Sequence, residues 1–269
     1  MSALAVPVAF FVRDYRLAVS YRAGFFFEIA GAIVNVFIFY FVSEFFGSAI
    51  SGALEQYGGN YFLFVIIGIA FTTYLRVGLG GISTKVRDGQ LMGTLELMLI
   101  SPSALPVTLL SSALWGHLMA TFGVVTYVVF AIAVGPGLGS PNLAIAVMAL
   151  LIAIVGFNAI GLIVAASVIV LKQGSPVNWL VNTASVLLAG VFYPTAVLPD
   201  ALQSLAQALP MTHALEIVRR SLLAGESMAT LAPSFVALVA LTAIYLPLGL
   251  LASHWAVRLA QTDGSLTAY

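Results

Sequence analysis

The sequence predicts an all-α polytopic membrane protein with six transmembrane helices. The composition is the first indication: 61% of the 269 residues are hydrophobic and only 7% are charged, whereas a soluble domain has about 25% charged residues. The second is that apolar runs recur along the chain, most of them long enough for the about 20 residues that a spanning helix needs. The few charged residues collect between these runs. We therefore expect residues 1–269 to form a single transmembrane domain.

The six predicted spans follow the apolar runs. They are, in chain order, Gly24–Phe46, Tyr61–Gly81, Ala104–Val134, Leu143–Leu171, Val177–Tyr193 and Ala232–Val257. The second run has an optional extension to Thr84. Turn-forming residues, GPGLGSPN at 135–142, separate the third run from the fourth. The longest polar-rich segment, residues 194–231, lies between the last two.

The positions of the basic residues predict the orientation, because loops rich in Lys and Arg stay on the cytoplasmic side. With the N-terminus inside, the cytoplasmic side receives seven basic residues: Arg13, Arg16, Arg22, Lys85, Arg87, Lys172 and Arg258. The outer side receives Arg219 and Arg220, and Arg76 lies within a span. Both termini are therefore expected in the cytoplasm.

Residues 7–22 predict an amphipathic helix lying on the membrane surface. Arg13 and Arg16 share one face and Phe10 and Leu17 another, an arrangement that suits the headgroup region. The alternative is that this segment is the polar start of the first spanning helix, since periodicity alone does not fix orientation.

The segment between the second and third spans, VRDGQLMGTLELMLISP at residues 86–102, is richer in features than a plain connector needs. Gly89 and Gly93 are expected to bend the chain. Leu91, Leu95 and Met98 recur at helical spacing, which predicts a short cytoplasmic helix that docks into a groove on a partner.

The segment at residues 194–222 is predicted to form two short helices at the outer end of the fifth span. Three prolines divide it, since proline ends helices: Pro194, Pro199 and Pro210. Asp200 and Thr212 are the expected N-caps. The pair suggests a re-entrant hairpin, which membranes tolerate only against protein or a water-lined cavity.

The second of these helices is expected to be two-faced. Leu215 and Val218 share the apolar face, while Glu216, Arg219 and Arg220 share the polar one. Glu216 and Arg220 have the i, i+4 spacing of a favourable ion pair.

Arg76 is the main candidate for a functional charge at membrane depth, because burying a charge in lipid is costly and such residues mark substrate paths. The alternative is a snorkelling or ion-paired residue. Glu28 is interpreted as an interface charge partnered near Arg22, and Asn35 as a bridge between helices.

Several kinds of chemistry are missing from the sequence. It contains no G-x-x-x-x-G-K-[ST], G-x-S-x-G or H-E-x-x-H motif and no cysteine. No segment carries the basic cluster that nucleic-acid binding needs. The three histidines, His117, His213 and His254, are expected to pack or to hydrogen-bond between helices. An intramembrane lipid-modifying enzyme using Arg76, His117 and His254 remains the alternative function, and an ion channel or scaffold is a third.

Two motifs in this topology resemble the permease (transmembrane) subunit of type-2 ATP-binding cassette exporters, which export drugs, lipids, polysaccharides and lipo-oligosaccharides. The first motif is G-x-x-x-G-T-L-E-x-x-x-x-x-P after the second span, and the second is G-x-F-x-P…L-P…L-P…R after the fifth. The matching residues are Gly89, Gly93, Thr94, Leu95, Glu96 and Pro102, then Gly190, Phe192, Pro194, Leu198, Pro199, Leu209, Pro210 and Arg219.

The resemblance implies a transport subunit without catalysis, cofactor or metal of its own, in a prokaryotic inner membrane. Two copies of a separate ATPase subunit would bind ATP and Mg, and a second permease chain would complete the path as a homodimer. Arg76 would belong to the path, and Arg13 and Arg16 to the cytoplasmic platform. ATPase coupling would fall to Arg87, Asp88, Gly89, Gly93, Thr94, Leu95 and Glu96. The outer gate would use Phe192, Pro194, Pro199, Pro210, Glu216 and Arg219.

Overall fold

The computed structural model describes residues 5–20, 23–94, 98, 104–171 and 175–262. These residues contain helices and no strand, which confirms the all-α prediction for the described part of the chain. Five of the described helices are long and apolar enough to cross a membrane.

The helices follow the apolar runs. Six of them begin and end as follows: α1 at Ala5–Ser20, α2 at Ala23–Ile50, α3 at Tyr61–Arg76, α4 at Ile82–Leu91, α5 at Leu105–Val134 and α6 at Leu143–Leu171. Four more complete the order: α7 at Ser175–Leu188, α8 at Asp200–Gln207, α9 at Pro210–Leu223 and α10 at Met228–Thr262. A 3₁₀ turn, Ser51–Tyr57, follows α2.

The second spanning element is longer than its apolar run. A π-helix, Val77–Gly81, joins α3 to α4, so one helical rod extends over Tyr61–Leu91. Asn60 caps its start, where Oδ1 accepts a hydrogen bond from the Leu63 amide at 2.9 Å. The rod ends at Gly93, whose φ of 66° lets the Thr94 amide bond back to the Gly89 carbonyl at 2.8 Å.

The rod corrects two expectations about the segment at residues 86–102. Its first residues, up to Leu91, extend the spanning rod and do not begin a separate docking helix. Gly89 is buried inside α4 and does not bend the chain, whereas Gly93 does turn it. Leu95 and Glu96 lie outside the described residues, so the rest of the coupling prediction is not examined by the structure.

The fifth predicted span, Val177–Tyr193, is occupied by α7, which has 14 residues. At about 1.5 Å per residue this helix is about 21 Å long, shorter than the about 30 Å hydrocarbon core. The six-span topology therefore stays a prediction.

The central helix is α6, which packs along α10, α9 and the rod. Close backbone approach sets these contacts: a Cβ added at Gly161 would lie 1.9 Å from the Gly78 carbonyl oxygen of the π-helix. A Cβ at Gly249 would likewise lie 2.4 Å from the Ala159 carbonyl. Small residues permit this approach, which is how helices gain packing energy in a membrane.

The order of contacts gives the helix directions. Gly156 lies against Thr242, and further along both helices Ala159 and Leu162 lie against Gly249, so α6 and α10 run parallel. The chain must therefore return between them. α9 runs antiparallel to α6, because its start packs against Gly156 and its Ser221 carbonyl accepts from the Asn142 amide at 2.8 Å, just before α6 begins.

The return is thus made in two steps, first along α7 and then along α9. Asn178 at the start of α7 lies near Gly80 of the rod, and Val191 beyond its end lies against Gly68. Leu223, which ends α9, reaches Gly58 before the rod begins. A short helix, irregular backbone and a second helix together cover the distance that a single span was expected to cover.

The first helix, α1, lies against α5. The rings of Phe11 and Tyr15 meet the Trp115 ring edge-on, with centroids 5.4 and 5.7 Å away. Arg13 pairs with Asp14 at 2.7 Å, and Arg16 is exposed. The rest of the helix exposes apolar side chains, among them Val8 and Leu17.

Candidate functional site

Arg219 is the centre of the outer part of the molecule. Only 3% of the residue is exposed. Its Nε donates to the Phe64 carbonyl at 3.1 Å, Nη1 to the Gly190 carbonyl at 2.8 Å and Nη2 to the Val191 carbonyl at 2.7 Å. The guanidinium carbon also lies 3.4 Å from the centroid of the Phe64 ring. One side chain therefore ties α9 to α3 and to the segment that follows α7.

The backbone around Arg219 is shaped to receive it. Gly190 has a φ of 73°, the left-handed region that favours glycine, and this turns its carbonyl toward the guanidinium. On the facing helix, a Cβ at Gly68 would lie 2.5 Å from the Val191 carbonyl and 2.6 Å from Arg219 Nη2. The sequence thus supplies a turn on one side of the guanidinium and an open helix face on the other.

A second polar network surrounds the outer end of α9. Arg220 pairs with Glu216 at 3.0 Å, as the i, i+4 spacing predicts, and with Glu226 at 2.7 Å. Tyr57 in the 3₁₀ turn donates its hydroxyl to Glu216. This network links the turn before the rod, α9 and the segment before α10.

The electrostatics follow from this burial. Three carbonyl acceptors and the face of the Phe64 ring stabilise the charged form of the Arg219 guanidinium. Burial and the neighbouring Glu216 carboxylate raise the pKa of the Tyr57 hydroxyl above its usual range. Tyr57 therefore stays a hydrogen-bond donor at every physiological pH.

Arg219 corrects the predicted faces of α9. The sequence pattern placed it on the polar face with Glu216 and Arg220, but the structure buries it against α3. The helical wheel could not show this, because the carbonyls that satisfy Arg219 come from Phe64 and from the turn at Gly190. The sequence of α9 alone therefore does not distinguish Arg219, which is buried, from Arg220, which is partly exposed.

The other predicted outer residues lie around this node. Phe192 stacks on Phe39 of α2 with centroids 5.9 Å apart. Pro194 precedes a short 3₁₀ turn, and Pro199 precedes α8. Pro210 is the first residue of α9, where a proline costs no hydrogen bond.

The predicted caps are wrong. Asp200 is the first residue of α8 and makes no side-chain cap. Thr212 lies inside the first turn of α9, where its hydroxyl donates to the Ala206 carbonyl at 2.6 Å. This hydrogen bond joins α8 to α9 and does not cap α9.

A cavity of about 1070 Å³ opens between α1, α2, the rod and α5, with Asn178 of α7 on its wall. We call it the inner cavity. Arg76 at the end of α3 and Glu28 on α2 both line it, and so does Asn35. It extends to Lys85 and Asp88 on α4, so residues of the predicted coupling segment also border it.

A smaller cavity of about 390 Å³ adjoins the inner cavity on the side of the segment that follows α7. Both cavities are lined by Asn35, Arg76 and Tyr127. The smaller one ends at Phe192, two residues beyond Gly190. Arg76 thus borders both cavities, and the smaller one reaches Phe192 in the segment that follows α7.

Arg76 was predicted as a path residue, but Glu28 and Asn35 were interpreted as structural. The structure brings all three to one cavity. A sequence signal existed, because Glu28 and Asn35 are seven residues apart and so share a face of α2. Their predicted partners were elsewhere: Arg22 lies outside the described residues.

The predicted coupling residues occupy the end of α4 and the turn after it. Arg87 and Asp88 are partly buried, Gly89 is buried, and Gly93 and Thr94 are exposed. Two neighbouring apolar side chains are unusually exposed, Leu91 at 63% and Met92 at 75%. Of these two, the docking pattern included Leu91 but not Met92.

The described residues contain no group of His, Asp and Glu side chains arranged to hold a metal ion. Each histidine contacts a backbone carbonyl near it in the chain: His117 contacts Ala113, His213 contacts Gln207 and His254 contacts Leu250.

Residues 100–223 match the family described as ABC-2 type transporter. The matched residues are somewhat under half of the chain, and they begin before α5 and end with α9. The match supports a permease subunit of an ABC transporter, which is a transport component and an integral membrane protein. No curated protein matches the chain significantly.

The boundaries of the match divide the candidate site. Arg219, Gly190 and the short helices of the outer unit lie inside it. Arg76 and Glu28 lie outside it, as do the predicted coupling residues from Arg87 to Glu96.

Proposed function

We propose that this chain is the membrane-spanning subunit of an ATP-driven exporter that carries an amphiphilic substrate such as a drug, a lipid or a lipid-linked glycan. The observation that carries the proposal is the family match over residues 100–223, which includes the whole outer unit held by Arg219. The sequence has no P-loop, so ATP and Mg are bound by a separate ATPase subunit, present in two copies.

The chain is oriented with both termini in the cytoplasm of a prokaryotic inner membrane. The bias of basic residues supports this side. The parallel directions of α6 and α10 add that these two helices begin on the same side, because the return through α7 and α9 brings the chain back to the level at which α6 starts.

Two copies of the chain form the translocation path. The helices α2 and α7 carry large exposed apolar side chains, among them Phe37, Phe41, Trp179 and Leu180. Such faces suit lipid or the apolar face of a second copy. The inner and smaller cavities border these same helices, so pairing along them would enclose the space that Arg76 lines.

The rod transmits the motion of the ATPase. Its exposed end, with Leu91 and Met92, belongs to the predicted docking segment at residues 86–102. The same helical rod carries Arg76 into the cavity, and a π-helix lies between the two. π-Helical turns occur often at functional sites, which makes Val77–Gly81 the natural place for the rod to deform.

The outer gate is the unit formed by the end of α7, α8 and α9. It closes the smaller cavity at Phe192. Its position depends on Arg219 and on the network around Glu216. Rigid-body displacement of this unit, and not side-chain rotation, would open the exit.

Co-purification tests this function. The chain is tagged and extracted in mild detergent, and a stoichiometric ATP-binding subunit is expected with it. Met92→Asp introduces a charge at the exposed end of the rod and should release that subunit, while Ser140→Asp, at an exposed loop near the other end of the molecule, should retain it. A sample that lacks a nucleotide-binding partner in several detergents would overturn the proposal.

A further inference from the structure

We infer that the inner cavity binds a zwitterionic amphiphile, with the anionic group of the ligand at Arg76 and its cationic group at Glu28. This rests on the proposed function, because it names the substrate class for the same path. The binding itself depends only on the geometry of the described residues.

Arg76 and Glu28 are opposite charges that face one cavity without a direct partner. Among the described residues neither forms an ion pair, although the two lie near enough for their charges to interact. The other acidic residue at this level, Asp14, is already paired with Arg13 at 2.7 Å. Lys85 and Asp88 lie further along, one turn apart on α4.

The position of Glu28 is fixed by close packing against α5. A Cβ at Gly123 would lie 3.2 Å from Glu28 Oε1, so the carboxylate rests on the helix surface at that glycine. Both charges thus have a defined place on the cavity wall, with Glu28 on α2 and Arg76 at the end of α3.

Unpaired charges at membrane depth are costly. A singly charged ligand would neutralise one of them and leave the other exposed to an apolar environment. A zwitterion satisfies both at once. This is the reason to prefer it over an anionic or a cationic ligand.

Neutral polar groups on the same wall fit this ligand. Asn178 lines the cavity, and its Oδ1 is buried without a hydrogen-bond partner among the described residues. Asn35 and Tyr127 lie beside Arg76 in both cavities. The Asn35 amide nitrogen already donates to the Gly31 carbonyl at 2.8 Å, so the Tyr127 hydroxyl is the neutral donor for an anionic group.

The apolar part of the ligand also has a place. Phe27 and Trp115 line the cavity with aromatic surface. At about 1070 Å³ the cavity is as large as typical small-molecule sites, which have about 300–1,000 Å³. One polar head and part of an alkyl chain can be held there.

Trp115 provides a direct reporter of occupancy. The other two tryptophans, Trp179 and Trp255, are exposed, so a Trp179→Phe/Trp255→Phe chain retains one indole, on the cavity wall. Three probes share one brominated dodecyl chain and differ only in the head: phosphocholine, sulfate or trimethylammonium. Bromine quenches indole fluorescence at contact, which allows binding in maltoside micelles to be titrated without transport.

The phosphocholine probe is expected to quench Trp115 saturably, at a mole fraction about tenfold below that of either singly charged probe, a difference of about 1.4 kcal/mol. Arg76→Gln should move the preference to the trimethylammonium probe, and Glu28→Gln to the sulfate probe. Arg76→Lys should keep the zwitterion preference. Arg258→Gln removes an exposed charge on α10 that lines neither cavity, and it is the matched control that should leave the preference unchanged.

The inference is overturned if a singly charged probe binds the unsubstituted reporter as well as phosphocholine does. It is overturned equally if Arg258→Gln shifts the preference as far as Arg76→Gln. Co-purification of an ATPase with no such preference would defeat this inference and leave the proposed function standing. A clear preference in a chain without any ATPase partner would do the reverse.

Discussion

Two arginines, Arg219 and Arg76, sit in opposite environments within one molecule. Arg219 has three carbonyl acceptors and an aromatic ring around it. Arg76 is exposed, lines two adjoining cavities and forms no ion pair with the described residues. The same side chain therefore serves as an internal tie in one place and as an open binding group in the other.

The difference teaches how to separate structure from function in a membrane protein. A buried charge that the protein satisfies completely has no capacity left for a ligand. A charge that lines a cavity without a protein partner can still bind a ligand. Its free-energy cost is expected to be retained because the charge has a function. A structural charge is therefore distinguished from a functional one by its exposure and by whether protein groups already bond to it.

Removing the internal tie should give the largest loss of stability. Arg219→Gln replaces a guanidinium with five N–H donors by a shorter side chain with two, so at least one of the Phe64, Gly190 and Val191 carbonyls loses its side-chain donor in a buried site. The expected loss is about 3–5 kcal/mol, because stranded buried acceptors and lost charge-assisted bonds add. Thermal unfolding in detergent measures it.

The adjacent Arg220 is the control for this prediction. Its side chain is 23% exposed and its partners are two carboxylates. Arg220→Gln should therefore cost about 1 kcal/mol, as partly exposed ion pairs do. Equal losses at Arg219 and Arg220 would contradict the distinction between a backbone tie and a surface pair.

The free energy of unfolding should be nearly as sensitive to substitution at the contact between α6 and the π-helix. Gly161→Ala would place a methyl group 1.9 Å from the Gly78 carbonyl oxygen, and backbone on both sides must move. The expected cost is about 1–3 kcal/mol from overpacking. Gly24→Ala on α2 meets nothing within 4 Å and is the control; its unfolding temperature should not fall.

The spans were predictable because length and apolarity decide them locally. Leu143–Leu171 has the predicted bounds, and the helix at Leu105–Val134 begins one residue after the predicted start. The rod at Tyr61–Leu91 was longer than predicted because tertiary packing against α6 extends helix through a polar sequence. Val177–Tyr193 was harder, since its helix stops before a turn that Arg219 stabilises from a distant element.

The candidate site was predictable only in part. Arg76 is conspicuous as a charge inside an apolar run, and the Glu216–Arg220 pair is set by spacing alone. The burial of Arg219 and the meeting of Glu28 with Arg76 both depend on helix-to-helix contacts. No pattern within one helix encodes such contacts, so they required the structure.

A smaller and pH-dependent effect is expected at Tyr57. Its folded-state pKa is raised by burial and by Glu216, so the stability it contributes is complete below the unfolded pKa of about 10 and is lost as pH rises above that value. Tyr57→Phe should cost about 1 kcal/mol at pH 7, the net value of one hydrogen bond. Above pH 10 the variant should lose stability less steeply than the unsubstituted chain. Parallel slopes for the two proteins in that range would refute the assignment to Tyr57.

The smallest effect on stability should come from substitution of Arg76. Arg76→Gln removes a side chain that ties no elements together in the described structure, so its unfolding temperature should stay within about 2 °C of the unsubstituted chain, the size of change expected of a surface substitution. Substrate-stimulated ATP hydrolysis by the assembled exporter should nevertheless fall several-fold, because the charge that faces the cavity is gone. Arg219→Gln should show the opposite order, with unfolding affected first and activity lost in proportion to the folded fraction. If Arg76→Gln instead destabilises the chain as much as Arg219→Gln does, Arg76 has a structural role with partners outside the described residues. It would then not be a ligand-binding residue of the cavity.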